Sequence, residues 1–170
     1  MNDEQLVGTS PKVARILMSE EAIYGLILVS GMIVVSYTLT GTSLSALVTV
    51  VVTVIVFFAA HVYAGTLARL AATDGKAGLP ESLRAAAYHS LGMLLISLAP
   101  IAVLLLGVTR FFDDDLAVWL ALLVDTLALG TLGWLAVAKW TQHFWLRLAS
   151  GLITAAFGGV IIFLKAFIHH

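Results

Sequence analysis

Five runs of apolar residues, each long enough to cross a bilayer as a helix, constrain this chain more than any other feature. They extend from about Ala22 to Leu39, Leu44 to Ala72, Leu83 to Val108, Leu116 to Ala138 and Phe144 to Ile168. The breaks between them carry turn chemistry. Thr40-Gly41-Thr42-Ser43 reads as a tight turn, Thr73-Asp74-Gly75 as a helix stop, and Gly78-Leu79-Pro80-Glu81 as the start of the next helix. The second run exceeds what a bilayer needs at about 1.5 Å of rise per residue, so it must tilt or reach past the headgroups near Arg69. The expected fold is an all-α integral membrane protein. A polar segment over residues 1–21 precedes a compact bundle of five transmembrane helices over residues 22–170.

Composition closes off a soluble alternative. The chain is 61% hydrophobic and 11% charged, with a mean hydropathy of +1.04. A soluble domain carries roughly a quarter charged residues, and so few charges could not cover its surface. The lipid bilayer is therefore the expected partner of most of this surface, and the cell membrane the expected location. A net charge of −1 with no basic stripe gives no reason to expect nucleic acid. The lack of cysteine removes disulfides, thiolate metal sites and cysteine catalysis together. The first twenty residues lack the apolar core and cleavage site of a signal peptide, so the first run is expected to remain as a span. Within that segment, Ser10-Pro11-Lys12-Val13-Ala14-Arg15-Ile16-Leu17 combines a cap, a proline at the first helical position and apolar residues at helical spacing. It predicts a short helix lying on the membrane surface.

Lysine and arginine set the direction. Lys12, Arg15, Arg69, Lys76, Arg84, Lys139 and Arg147 fall on one side of the predicted bundle, and Arg110 and Lys165 on the other. Cytoplasmic loops carry the excess of such residues, which predicts a cytoplasmic N-terminus and, after five crossings, an external C-terminus. Aromatic rings suit the two interfaces: Tyr24, Tyr63, Tyr88, Trp134, Trp140 and Trp145 at the inner one, and Tyr37, Phe111, Phe112 and Trp119 at the outer one.

Small residues let helices approach closely in lipid. The fifth span carries Gly151, Ala155 and Gly159 at spacings of four, flanked by Ser150, Thr154 and Gly158, and the fourth carries Gly130 and Gly133. This stripe serves either packing within the bundle or a homo-oligomer seam. Pro100, inside the third span, removes one backbone hydrogen bond and predicts a kink there.

Charges inside a span cost about 2.5–3.5 kcal/mol at the centre, which makes them the best pointers to function. Asp125 is the deepest. It lies ten residues after Asp115 and fourteen before Lys139, roughly 15 and 21 Å along a helix axis. Its partner must come from another span. It is either a carboxyl that binds a proton or cation, or a group that only ties helices together. His61 and His89 lie in the inner halves of the second and third spans, and imidazole titrates near neutral pH. Each suits either a proton relay or hydrogen-bonded packing. Glu20 and Glu21 open the first span, where carboxylates also complement the helix dipole. Asp113, Asp114 and Asp115 open the fourth, as caps or as a vestibule attracting cations. No histidine pair at i, i+4 and no histidine–carboxylate motif within one helix specifies a metal, and nothing calls for a cofactor. His169 and His170 resemble a purification tag and are set aside.

From the cytoplasm outward the polar positions order as Glu20 and Glu21, His89, His61, Asp125 and the outer aspartates. That order suggests a transporter or channel for protons or a small cation. Asp125 is then the binding carboxyl, His61 the relay, and His89 with Glu21 the access residues. The alternative is a non-transporting accessory or assembly subunit of a larger membrane complex, to which the fifth-span stripe and the lack of clear site chemistry point. An intramembrane enzyme has the least support, since no catalytic pair is visible.

Overall fold

A computed structural model describes residues 19–168, which form five α-helices and, among the described residues, no strand. They are α1 (Glu20–Thr40), α2 (Ser43–Ala72), α3 (Leu79–Val108), α4 (Asp114–Ala138) and α5 (Phe144–Ile168). All five are long and apolar enough to span a membrane. The surface helix expected over residues 10–17 lies outside the described residues.

Local chemistry sets each boundary. Ser19 Oγ accepts from the Ala22 N–H at 3.3 Å, and Glu20 and Glu21 fill the first turn of α1. The helix stops at Gly41, whose φ of 69° suits glycine and whose N–H donates to the Tyr37 carbonyl at 2.7 Å. Thr42 caps α2 through the Ser45 N–H, so α1 and α2 form a tight antiparallel hairpin. At the far end of α2 the Gly75 N–H returns to the Leu70 carbonyl at 2.8 Å. Pro80, in the first turn of α3, then starts a helix that runs unbroken through the buried Pro100. Asp113 Oδ1 accepts from the Leu116 N–H at 2.8 Å and starts α4. Arg147 donates to the Thr141 carbonyl at 2.6 and 2.9 Å, tying the α4–α5 loop together.

The helix α1 sits at the centre and packs against all four others. Around it, α2 pairs with α3 and α4 with α5. Two apolar clusters fill the interior. One gathers Val29, Ile33, Val50, Leu104, Val118 and Leu122; the other gathers Ala22, Leu26, Leu129 and Leu132. The outward faces are lined by exposed apolar side chains such as Phe157, Phe163 and Phe167 on α5. Lipid is the solvent that such a surface suits.

The small-residue stripe of α5 lies against α4. A Cβ built at Gly151 would come within 3.0 Å of the Gly130 carbonyl oxygen, and one at Gly130 within 3.3 Å of the Ala155 Cβ. Gly133 faces Thr154 and Ser150, and Gly158 faces Thr126. Gly159 takes no part, since a Cβ there would meet nothing within 4 Å. Helical geometry explains the difference. At about 100° per residue, position 158 falls back over 151, whereas 159 is turned about 80° away.

Candidate functional site

Three polar stations lie along α1, each facing a different helix. The first is Glu21. Its Oε1 lies 3.1 Å from His89 Nδ1 on α3, while its Oε2 is buried with no partner among the described residues. The side chain of Glu21 is 13% exposed and that of His89 is 69% exposed, so the pair sits at an opening. It belongs to a cavity of about 320 Å³ at the Glu20 end of the bundle, lined also by Glu20, His61, Arg69 and Ser90. His61 Nδ1 lies 3.1 Å from the Phe57 carbonyl oxygen, four residues earlier on α2. A carbonyl only accepts, so in the neutral ring this contact makes Nδ1 the donor and Nε2 an acceptor. Four candidates drawn from three helices thus share one wall. Among the described residues, no three His, Asp or Glu groups lie close enough to hold a metal ion.

The second station is Ser30, nine residues and roughly 14 Å further along α1. Its hydroxyl donates to Asp125 Oδ2 on α4. The carboxyl is fully buried, at 0% exposure, and Oδ1 has no partner among the described residues. The partner comes from another span, as expected, but it is a hydroxyl rather than a cation. Asp125 does not line the cavity. Leu26, Met93 and Leu129, all fully buried, fill the levels between them, with Met93 packed into the space that Gly25 leaves open. On the opposite side, Leu122 and Val118, about one and two turns before Asp125 on α4, are fully buried in the other apolar cluster.

The third station, Tyr37, lies roughly 10 Å beyond Ser30, and it was not expected to be one. Tyr37 lies in the last turn of α1 with its side chain buried, and beside it lies the ammonium of Lys165, 5.1 Å from the ring centroid. Lys165 Nζ also lies 4.0 Å from the centroid of Trp119 and 3.1 Å from Asp115 Oδ1. Sequence reasoning counted Lys165 only as an outer-side charge. The signal that could have found this contact is the matched depth of Asp115 and Lys165 at the same end of two adjacent spans.

No known protein family, curated protein or solved structure matches the chain.

The stations have distinct chemical capacities. The cavity offers carboxylates and imidazoles at an opening, and therefore groups able to take up and pass protons or hold a cation. Asp125 offers one buried carboxyl oxygen with no partner among the described residues, at a depth between the two apolar clusters. The aspartates at the start of α4 divide their work: Asp113 caps the helix, Asp114 accepts from the Ser43 N–H and hydroxyl, and Asp115 holds Lys165. Capping explains the first, and a tie to the start of α2 explains the second.

Proposed function

We propose that this chain moves protons or a small cation across the cell membrane, with Asp125 as the binding carboxyl and the Glu21–His89–His61 cavity as its entry. The observation that carries the proposal is convergence: three helices bring Glu20, Glu21, His61 and His89 to one cavity. Asp125 supports it. An ionisable group inside hydrocarbon is a functional feature by default, and this one has an oxygen with no partner among the described residues, at a depth between two apolar clusters. A site that opens to one side at a time needs apolar layers at both of those levels.

The orientation belongs to the same proposal. Arg69, Lys76, Arg84, Lys139 and Arg147 lie at the cavity end, and Arg110 and Lys165 at the other. With the positive excess inside, the cavity faces the cytoplasm and the C-terminal end of α5 faces outward. The stripe that favoured an assembly subunit now favours it less, because Gly151 and Ala155 are engaged by α4 of the same chain.

Reconstitution into liposomes tests the proposal. Flux of protons or an alkali cation is expected above the level of empty liposomes, and Asp125→Asn is expected to abolish it. Flux equal to that of empty liposomes, or unaffected by the substitution, overturns it.

A further inference from the structure

We propose that Asp115, Trp119 and Tyr37 form a binding site for a small ammonium-type cation, which the chain's own Lys165 occupies as a tethered plug. The ammonium lies 3.1 Å from Asp115 Oδ1, 4.0 Å from the Trp119 ring centroid and 5.1 Å from that of Tyr37. A carboxylate joined by two electron-rich ring faces is the surrounding that recognises an ammonium group, with indole the best of the rings. Lysine near the end of a span ordinarily extends its stem to bring the charge into water. Lys165, three residues before the end of α5, does the reverse and is fully buried. Something in the cluster therefore holds the charge in.

Two features make this a site rather than a fixed tie. Asp115 is 55% exposed, so a cation arriving from that end meets the carboxylate before the rings. The lysine arrives on a flexible four-carbon stem, which can withdraw by rotamer changes alone. A free ammonium ion and the Lys165 ammonium thus compete for one carboxylate and two rings. The site stands apart from Asp125 and does not need it.

The test uses the full chain in mild detergent with Trp134→Phe, Trp140→Phe and Trp145→Phe, which leave Trp119 as the only tryptophan. Lys165→Ala then vacates the site, and methylammonium is the probe, with sodium at equal ionic strength as the control. In Lys165→Ala, methylammonium is expected to quench Trp119 saturably and to raise Tm by about 2–4 °C. The parent chain shows neither effect at the same concentration, and adding Asp115→Asn to Lys165→Ala abolishes both. The proposal is overturned by no saturable quench in Lys165→Ala, or by the same quench in the parent or in the double variant. Where Lys165→Ala does not fold alone, methylammonium present throughout preparation is expected to restore the fold and sodium is not; failure of that rescue also overturns it.

Discussion

Replacing Asp125 with valine should make this protein more stable while silencing it. The carboxyl is fully buried, and its Oδ1 has no partner among the described residues. An unsatisfied buried acceptor costs about 1–3 kcal/mol. The bond from Ser30 to Oδ2 offsets part of that, since hydrogen bonds between membrane helices contribute about 0.6 kcal/mol on average and about 1.7 at most. The balance leaves Asp125 a burden of about 1 kcal/mol on the fold. Valine removes both contributions and fills a similar volume, and Ser30 can turn its hydroxyl to the carbonyl of Leu26 on its own helix. For a chain of this size about 1 kcal/mol corresponds to a rise in Tm of about 2–4 °C. Thermal unfolding in mild detergent reads the stability, and liposome flux, expected to fall to the empty-liposome level, reads the activity. A Tm lowered by 4 °C or more would refute the reasoning, because the carboxyl would then be what holds α1 and α4 together.

Three further outcomes follow from the packing and the cavity. Gly133→Ala should cost about 1–3 kcal/mol, because its Cβ would press on Thr154 and on the Ser150 carbonyl, whereas Gly159→Ala should cost nothing; equal melting temperatures for the two would contradict the α4–α5 seam. His89→Ala should lower flux while shifting Tm by less than about 2 °C, since an exposed partner adds little stability; unchanged flux would remove the cavity from the pathway. The chain lacks cysteine, so Asp74→Cys and Phe111→Cys report the two faces directly. In intact cells a membrane-impermeant thiol reagent should label Phe111→Cys and spare Asp74→Cys, and the reverse pattern would invert the proposed orientation.

Hydropathy made the helices legible almost residue by residue, because a run of hydrocarbon in lipid leaves the backbone no alternative to a helix. The departures are at first turns. The apolar run from about Leu83 is shorter than α3, which begins at Leu79, where Gly78-Leu79-Pro80-Glu81 reads as a helix start, because Pro80 and Glu81 suit a first turn while diluting the run. Depth was legible as well, and it placed Glu20, Glu21, His61 and His89 near one end, where they do share a cavity. Azimuth was not. Nothing within α4 reveals that Asp125 meets Ser30, because the direction a side chain takes around a helix acquires a partner only when the helices pack. The same gap hid Lys165. Counting it as an external charge was a statement about depth, and its contact with Asp115, Trp119 and Tyr37 depends on how α5 is rotated against α1 and α4. The stripe on α5 shows azimuth recovered by arithmetic, with 151, 155 and 158 sharing a face that 159 leaves.

The central place of α1 has a consequence for how the protein is made. Among the five described helices, α1 is made before the four that pack around it, so it enters the membrane ahead of these neighbours. Ser30 precedes Asp125 by 95 residues, which at synthesis rates of about 5–20 residues per second means a wait of roughly 5–20 s. Within that interval α2 and α3 reach α1, while Ser30 still waits for the carboxyl that α4 brings. The burial of α1 completes only as α4 and α5 arrive, and α5 delivers the lysine that lies at the far end.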